Sequence, residues 1–244
     1  MDTEIALALA QLAESSDRLL ATADTLTDAQ AAGPSRLPGW TRGHVLTHLA
    51  RNADGFRNLL TWAATGDETP MYPSEEARAR EIEAGAGRSA AQIAADVRAS
   101  AAALAAAAQD LPGGAWDALV ARRGDTFPAR QIPERRLSEL EIHHVDLDAG
   151  YRPADWPASF VAANLARVAG DFAGRGDAPA CLARPDGRDD VYPIGPGPGR
   201  TDQAGQVTVS GPPAALLAWL IGRDSGTGLK VTGAGAVPVL PPWR

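Results

Sequence analysis

Between Glu4 and about Leu26, apolar side chains return at helical spacing through Ile5, Leu7, Leu9, Leu12, Leu19 and Leu20, and the pattern is broken by Asp28, Gly33, Pro34 and Pro38. A first helix is expected there. A second is expected from about Thr41 to Ala64, with Thr41 as its N-cap and Gly66 as its stop. Its apolar stripe is Val45, Leu49, Phe56, Leu60 and Ala63; His48 falls at the border of that stripe, and His44 points further toward solvent. The stretch GDETPMYPSEEARAR reads as a turn-rich connection to a third helix over roughly Ser89 to Leu111, whose AAALAAAA run has high helix propensity but little packing volume. After the Pro-Gly-Gly break at 112–114, ALVARRGDTFPA predicts a hairpin or extended crossing that turns near Gly124-Asp125. Pro133 suits the first turn of a fourth helix reaching about Ala149. Four helices with one longer connection predict a bundle.

From Tyr151 the pattern changes. RPADWP reads as a linker, Phe160 to Phe172 as a helix, CLARPD, VYPIG, QVTVSG and LKVTG as strands, and PPAALLAWLIGR as a helix that begins on prolines. The fold class expected is therefore mainly α plus α+β: a bundle over residues 1–152 and a smaller α/β domain over 153–244. Neither a G-x-x-x-x-G-K-[ST] loop nor a G-x-G-x-x-G fingerprint occurs, and the prolines in GPGPG at 195–199 predict a rigid turn rather than a phosphate cradle.

Composition narrows the classes of partner. The 244 residues are 45% hydrophobic and 22% charged, which is ordinary for a packed globular chain. A formal net charge of −7 opposes nonspecific binding to nucleic acid or to an anionic membrane surface, so neither is an expected partner. Cys181 is the only cysteine, which excludes an intrachain disulfide and a thiolate-rich metal site and fits a reducing cytoplasm. Acidic residues precede the apolar positions at the N-terminus, and no apolar run reaches the length of a membrane span; a cytoplasmic monomer is expected.

The residues with the most chemical content are Glu139 and His143, four apart on the fourth helix, and His48 on the second. An E-x-x-x-H step places a carboxylate and an imidazole one turn apart on the same side of a helix, with Cβ atoms about 6 Å apart. A second imidazole from a facing helix completes an N2O set, the ligand count at which a catalytic zinc keeps one position open. Spacing leaves rivals: Glu141 pairs with His144 at i,i+3, His44 and His48 form an H-x-x-x-H pair, and His144 lies in line with Leu140 and Leu147 as a buried core histidine would. No G-x-S-x-G elbow supports serine chemistry, and Cys181 reads equally as a small buried hydrophobe and as a nucleophile. The six tryptophans read as amphipathic core or interface residues.

LPGWTRGHVLTHLARNADGFRNLLTWAATGDETPMY, followed by LSELEIHHVDL, resembles the mycothiol-dependent maleylpyruvate isomerase family, whose N-terminal domain is a DinB-type four-helix bundle. GWTRGHVLTHLARNA is shared in outline with many DinB-like proteins, whereas TWAATGDETPMYPS, WLIGR and GAVPVLPPW are more particular to the isomerase. The resemblance implies that His48, Glu139 and His143 bind a divalent metal, zinc by the chemistry of the donor set, with Asp146 beside the last ligand. It implies mycothiol as the thiol cofactor and maleylpyruvate as the small-molecule substrate. Thiolate addition, bond rotation and elimination would give fumarylpyruvate, a step of aromatic (gentisate-type) degradation. It also implies that Arg223, in the G-R motif of the C-terminal domain, reaches the metal cleft and binds a carboxylate of substrate or thiol. Two other readings stay open: a thiol-dependent DinB-family S-transferase, and a metal-binding protein without turnover.

Overall fold

A computed structural model describes residues 2–196 and 206–243, and the chain divides into two compact units, residues 1–151 and 152–244. In chain order the first unit contains α1 (Thr3–Asp24), α2 (Asp28–Ala32), α3 (Arg42–Thr65), α4 (Glu75–Ala86), α5 (Ala90–Gln109), β1 (Leu119–Arg122), β2 (Asp125–Pro128) and α6 (Ile132–Asp146). The second contains α7 (Ala158–Phe172), β3 (Cys181–Pro185), β4 (Tyr192–Ile194), β5 (Thr208–Gly211), α8 (Pro213–Leu220) and β6 (Lys230–Thr232).

Helix α3 is the axis of the first unit. It packs on α4, α5 and α6, and α1 packs on α5 and α6. Val45, Leu46, Leu49, Ala50, Ala53, Phe56, Leu59 and Leu60 along α3 are all buried, so the apolar stripe wraps round much of its circumference. Its ends follow the local chemistry. The Thr41 side chain accepts from the His44 N–H, the His44 ring accepts from the Thr41 N–H, and Gly66 closes the helix at φ 80°. Ser89 caps α5 in the same way with Gln92. Helix α6 begins with Pro133 in its first turn but ends at Asp146, short of the expected Ala149, because Asp148 and Gly150 take positive φ. Its end carbonyls are satisfied from elsewhere in the chain: Arg36 N–H donates to Asp146 O at 2.8 Å, and the Arg42 guanidinium donates to Leu147 O at 2.7 Å and Asp148 O at 3.0 Å. The hairpin forms as expected, turning on Arg123 and Gly124, whose φ values of 51° and 81° match the twist a two-residue hairpin needs.

Two elements depart from the sequence reading. Thr27 and Gln30 form a capping box that starts the one-turn α2 where only a break was expected. More consequentially, the second half of the presumed connection is the twelve-residue α4. Only Ile82, Gly85 and Ala86 of α4 are buried, so no apolar stripe announces it. It docks through small-residue contact instead. A Cβ at Gly43 would lie 2.4 Å from Ala86 O, and one at Gly85 would lie 2.4 Å from the Thr47 methyl, so both glycines let α3 and α4 approach closely. The signal that did mark α4 is its cap: Ser74 accepts from the Ala77 N–H, ahead of Glu75 and Glu76.

In the second unit, four strands in the order β4-β3-β5-β6 form one sheet, with β3 and β5 parallel and both edge pairings antiparallel. Helices α7 and α8 pack on each other, and both contact the sheet. This is the expected smaller α/β part beside a helical N-terminal part. Cys181 is buried on β3, and burial pushes its thiol up to about 11, the environment of a packed hydrophobe rather than of a nucleophile. Gly195 takes φ 74°, while the remaining GPGPG positions 197–199 lie outside the described residues. Among the described residues, no helix is long and apolar enough to cross a membrane.

Candidate metal centre

His48 and Glu139 meet because α3 and α6 are neighbours, and His143 joins them one helical turn beyond Glu139. His48 Nε2 lies 3.2 Å from Glu139 Oε2, and His143 Nε2 lies 3.5 Å from the same oxygen. The two imidazole rings stand perpendicular with centroids 4.7 Å apart. One ligand atom from each residue falls within 4.8 Å of the others, so a single cation placed among them is in reach of all three. His48 is buried, and Glu139 and His143 are half-buried, which leaves one side of the cluster accessible.

The donor set fits a divalent metal. On its far side His143 Nδ1 faces Asp146 Oδ2 at 2.8 Å, and Asp146 is itself buried. That contact fixes the ring with Nδ1–H pointing at the carboxylate and Nε2 toward the cluster, the outer-shell pattern of metal-binding histidines. Burial lowers the His48 pKa to about 4, outweighing the nearby Glu139, so His48 is neutral at physiological pH as a ligand must be. Burial also works against charge on Glu139, but hydrogen bonds from His143 and His48 prevail and hold its carboxyl well below the usual range. For His143, burial is likewise outweighed by Asp146 and Glu139, and its pKa is raised above 6.5.

A pH dependence follows. With its pKa raised, His143 is the member of the cluster that holds a proton most readily, so a metal bound there would have to displace that proton. Below pH 6.5, metal affinity is expected to fall by about tenfold per pH unit, with one proton released per metal bound. Above the raised His143 value both dependences flatten. Titration calorimetry in buffers of different ionisation enthalpy measures the proton count. For the metal-free fold the sign is opposite: stability from the His143–carboxylate contacts is full below 6.5 and is lost as pH rises through the raised value.

The rival ligand sets are separated in space. His44 is spent on the α3 cap, with its Nδ1 2.7 Å from Thr41 Oγ1 and its Nε2 3.1 Å from Glu83. His144 is buried against α1, 2.8 Å from Thr22 Oγ1, and stacks on Tyr151 at 3.9 Å. Glu141 is buried and receives hydrogen bonds from Arg18 at 2.8 Å and Tyr151 at 2.5 Å. Glu141 and His144 thus belong to a structural cluster on another face of α6. Arg223, expected at the end of the last helix, sits beyond it in the second unit: Gly222 takes φ 70°, the Arg223 N–H donates to Ala218 O, and the guanidinium donates to Ile221 O at 3.0 Å.

Several neighbours of the centre were not singled out from sequence. Arg78, in the first turn of α4, donates from Nη2 to His48 Nδ1 at 3.0 Å. Arg122, from the hairpin, donates to Glu139 Oε1 at 3.3 Å. The Trp40 ring lies 5.7 Å from His48, and Tyr72 lies under Arg78 at 5.5 Å. Recognising the Ser74 cap would have put Arg78 on a helix; for Arg122 the sequence holds no signal, because only the docking of the hairpin brings it to Glu139.

A helical bundle carrying a two-imidazole, one-carboxylate cluster that could hold a cation, followed by a smaller α/β C-terminal unit, is the class of fold found in the maleylpyruvate isomerases. The chain belongs to the mycothiol maleylpyruvate isomerase family: the model of the family's N-terminal domain matches residues 12–148 and that of its C-terminal domain matches residues 155–242. Among solved structures, a crystal structure of the mycothiol-dependent maleylpyruvate isomerase is similar at 30% identity and a TM-score of 0.87, covering 100% of both chains. A histidine-to-alanine variant of that isomerase matches at 29% identity with the same TM-score and coverage. No curated protein sequence matched.

Proposed function

We propose that this chain is a cis–trans isomerase that converts maleylpyruvate to fumarylpyruvate with mycothiol, using a divalent metal held by His48, Glu139 and His143. The observation behind this reading is the three-residue cluster itself, with Asp146 seated behind His143, in a chain that matches both domains of the isomerase family. Zinc suits two imidazoles and a carboxylate where no redox step is needed. A divalent metal held by these residues would favour thiolate over thiol, and the chemistry it would supply with mycothiol is addition to the activated double bond, rotation about the resulting single bond, and elimination that returns the thiol.

The chain's own residues supply placement and charge. His48 enters neutral because it is buried, Asp146 holds His143 in one tautomer, and Glu139 balances the cation. Arg223 is assigned a carboxylate of substrate or thiol, since a guanidinium fork binds carboxylate in bidentate fashion. Cys181, buried on β3, takes no part. Among the described residues, no fourth histidine, cysteine, aspartate or glutamate joins the cluster, which supports an open coordination position over a closed structural site.

The test combines metal analysis of the purified protein with assays of maleylpyruvate conversion. About one zinc per chain is expected, with turnover that needs mycothiol only in catalytic amount. Full activity in thiol-free buffer excludes the reading. Stoichiometric loss of free thiol replaces it with the transferase, and metal binding without turnover replaces it with the non-catalytic protein.

A further inference from the structure

We propose that Arg78 is a metal-released anion receptor: its hydrogen bond to His48 and a metal on that ring exclude each other, so that metal binding frees the guanidinium to take a carboxylate of the ligand. This rests on the reading of His48, Glu139 and His143 as metal ligands and adds to it a residue and a coupling.

The argument is one of donors and acceptors. A guanidinium only donates, so with Arg78 Nη2 3.0 Å from His48 Nδ1, that nitrogen is the acceptor and the ring hydrogen is on Nε2. The Nε2–H then points at Glu139 Oε2, 3.2 Å away. In this state His48 has no lone pair facing the cluster. To ligate through Nε2 while neutral, the ring must carry its hydrogen on Nδ1, where it would meet the N–H of Arg78, donor against donor. The Arg78–His48 hydrogen bond and a metal on His48 Nε2 therefore exclude each other. His143 is built the opposite way. Its Nδ1 faces the Asp146 carboxylate, an acceptor, and needs no rearrangement when Nε2 ligates.

Besides His48, Arg78 meets Tyr72. Among the described residues, no carboxylate lies within salt-bridge distance of Arg78, and its Nε is buried with no hydrogen-bond partner. It is half-buried in the first turn of α4, over the ring of Tyr72. A guanidinium displaced from His48 is thus a cation beside the centre with no carboxylate in direct salt-bridge contact, and a carboxylate-bearing ligand provides one. Arg122, held by Glu139, stands on the carboxylate side of the same cluster, so cationic donors flank both His48 and Glu139. Anion binding draws Arg78 off His48, and metal binding pushes it off. Each event favours the other by the same factor, as linkage requires.

Zinc affinity, measured by competition with a chromophoric chelator and without mycothiol, tests this in the wild type and in Arg78→Met, with maleate as the probe dianion. In the wild type, saturating maleate is expected to tighten zinc binding by roughly tenfold, the scale of one charged hydrogen bond. Without maleate, Arg78→Met is expected to bind zinc at least as tightly as the wild type, and maleate is expected to leave its zinc affinity unchanged. Weaker zinc binding by Arg78→Met, or an undiminished maleate effect in it, overturns the proposal. Nitrogen-15 NMR of the His48 ring provides a check that needs no variant. The hydrogen is expected on Nε2 in the metal-free protein and on Nδ1 with zinc, and a metal-free ring already protonated at Nδ1 overturns the coupling. If the wild type binds no zinc, the ligand assignment itself has failed; if it binds zinc without these responses, the role of Arg78 alone has failed.

Discussion

His48→Ala is expected to lose its bound zinc and more than about a thousandfold of its activity while keeping a folded bundle, since several kcal/mol of charge stabilisation depends on the metal. In the proposed centre His48 is the ligand that α3 supplies, and without it Glu139 and His143 would be left as an i,i+4 pair on one helix, too few to hold a metal tightly. The fold is expected to survive because the neighbours of His48 along α3, Val45, Leu49 and Phe56 among them, keep their packing. Loss of one buried imidazole costs roughly 1–2 kcal/mol of stability. His144→Ala is the informative control. It removes the hydrogen bond to Thr22 and the stack on Tyr151, so it is expected to lower the melting temperature and retain the metal. Metal content by atomic spectroscopy, read beside circular dichroism, separates the two variants. If His144→Ala lost its zinc and His48→Ala kept it, the ligand assignment would be wrong.

Arg223→Ala is expected to keep its zinc and most of its thermal stability and to lose between about thirtyfold and a thousandfold in rate, the loss of roughly 2–4 kcal/mol that follows removal of a charged hydrogen bond made in the transition state. The competing role is local. Arg223 follows α8 directly and its guanidinium donates to Ile221 O, so it is also a cation near a helix C-terminus, an effect of roughly 0.3–1 kcal/mol at such a position. The two roles differ in which quantity moves. A helix-end cation changes the melting temperature slightly and the turnover hardly at all, whereas a carboxylate receptor changes turnover far more than stability. Arg223→Lys adds a geometric test, since an ammonium restores the charge without the planar fork and is expected to recover only part of the rate. Near-wild-type turnover in a stable, zinc-loaded Arg223→Ala would leave Arg223 with the helix-end role alone.

The sequence by itself determined most of the helices and their ends. Thr41, Ser89, Gly66 and Pro133 act on the backbone within a few residues of themselves, so their capping and stopping roles are readable without knowing what packs nearby. The Glu139–His143 step is of the same kind, because a helix of fixed pitch puts i and i+4 on one side whatever surrounds it. Which imidazole would join that pair was beyond local spacing, and Glu141 with His144 fitted nearly as well. Only the tertiary structure places them, turning Glu141 and His144 toward Arg18, Tyr151 and Thr22, and bringing Glu139 and His143 together with His48. Helix α4 shows the same division at a larger scale. Its cap was legible, but what holds it against α3 is close contact at Gly43 and Gly85, which leaves no hydrophobic period in the sequence. Because α4 carries Arg78 and the hairpin carries Arg122, the cationic side of the centre comes entirely from docked elements. Those contacts join residues 30 and 17 positions apart, where only packing sets the distance.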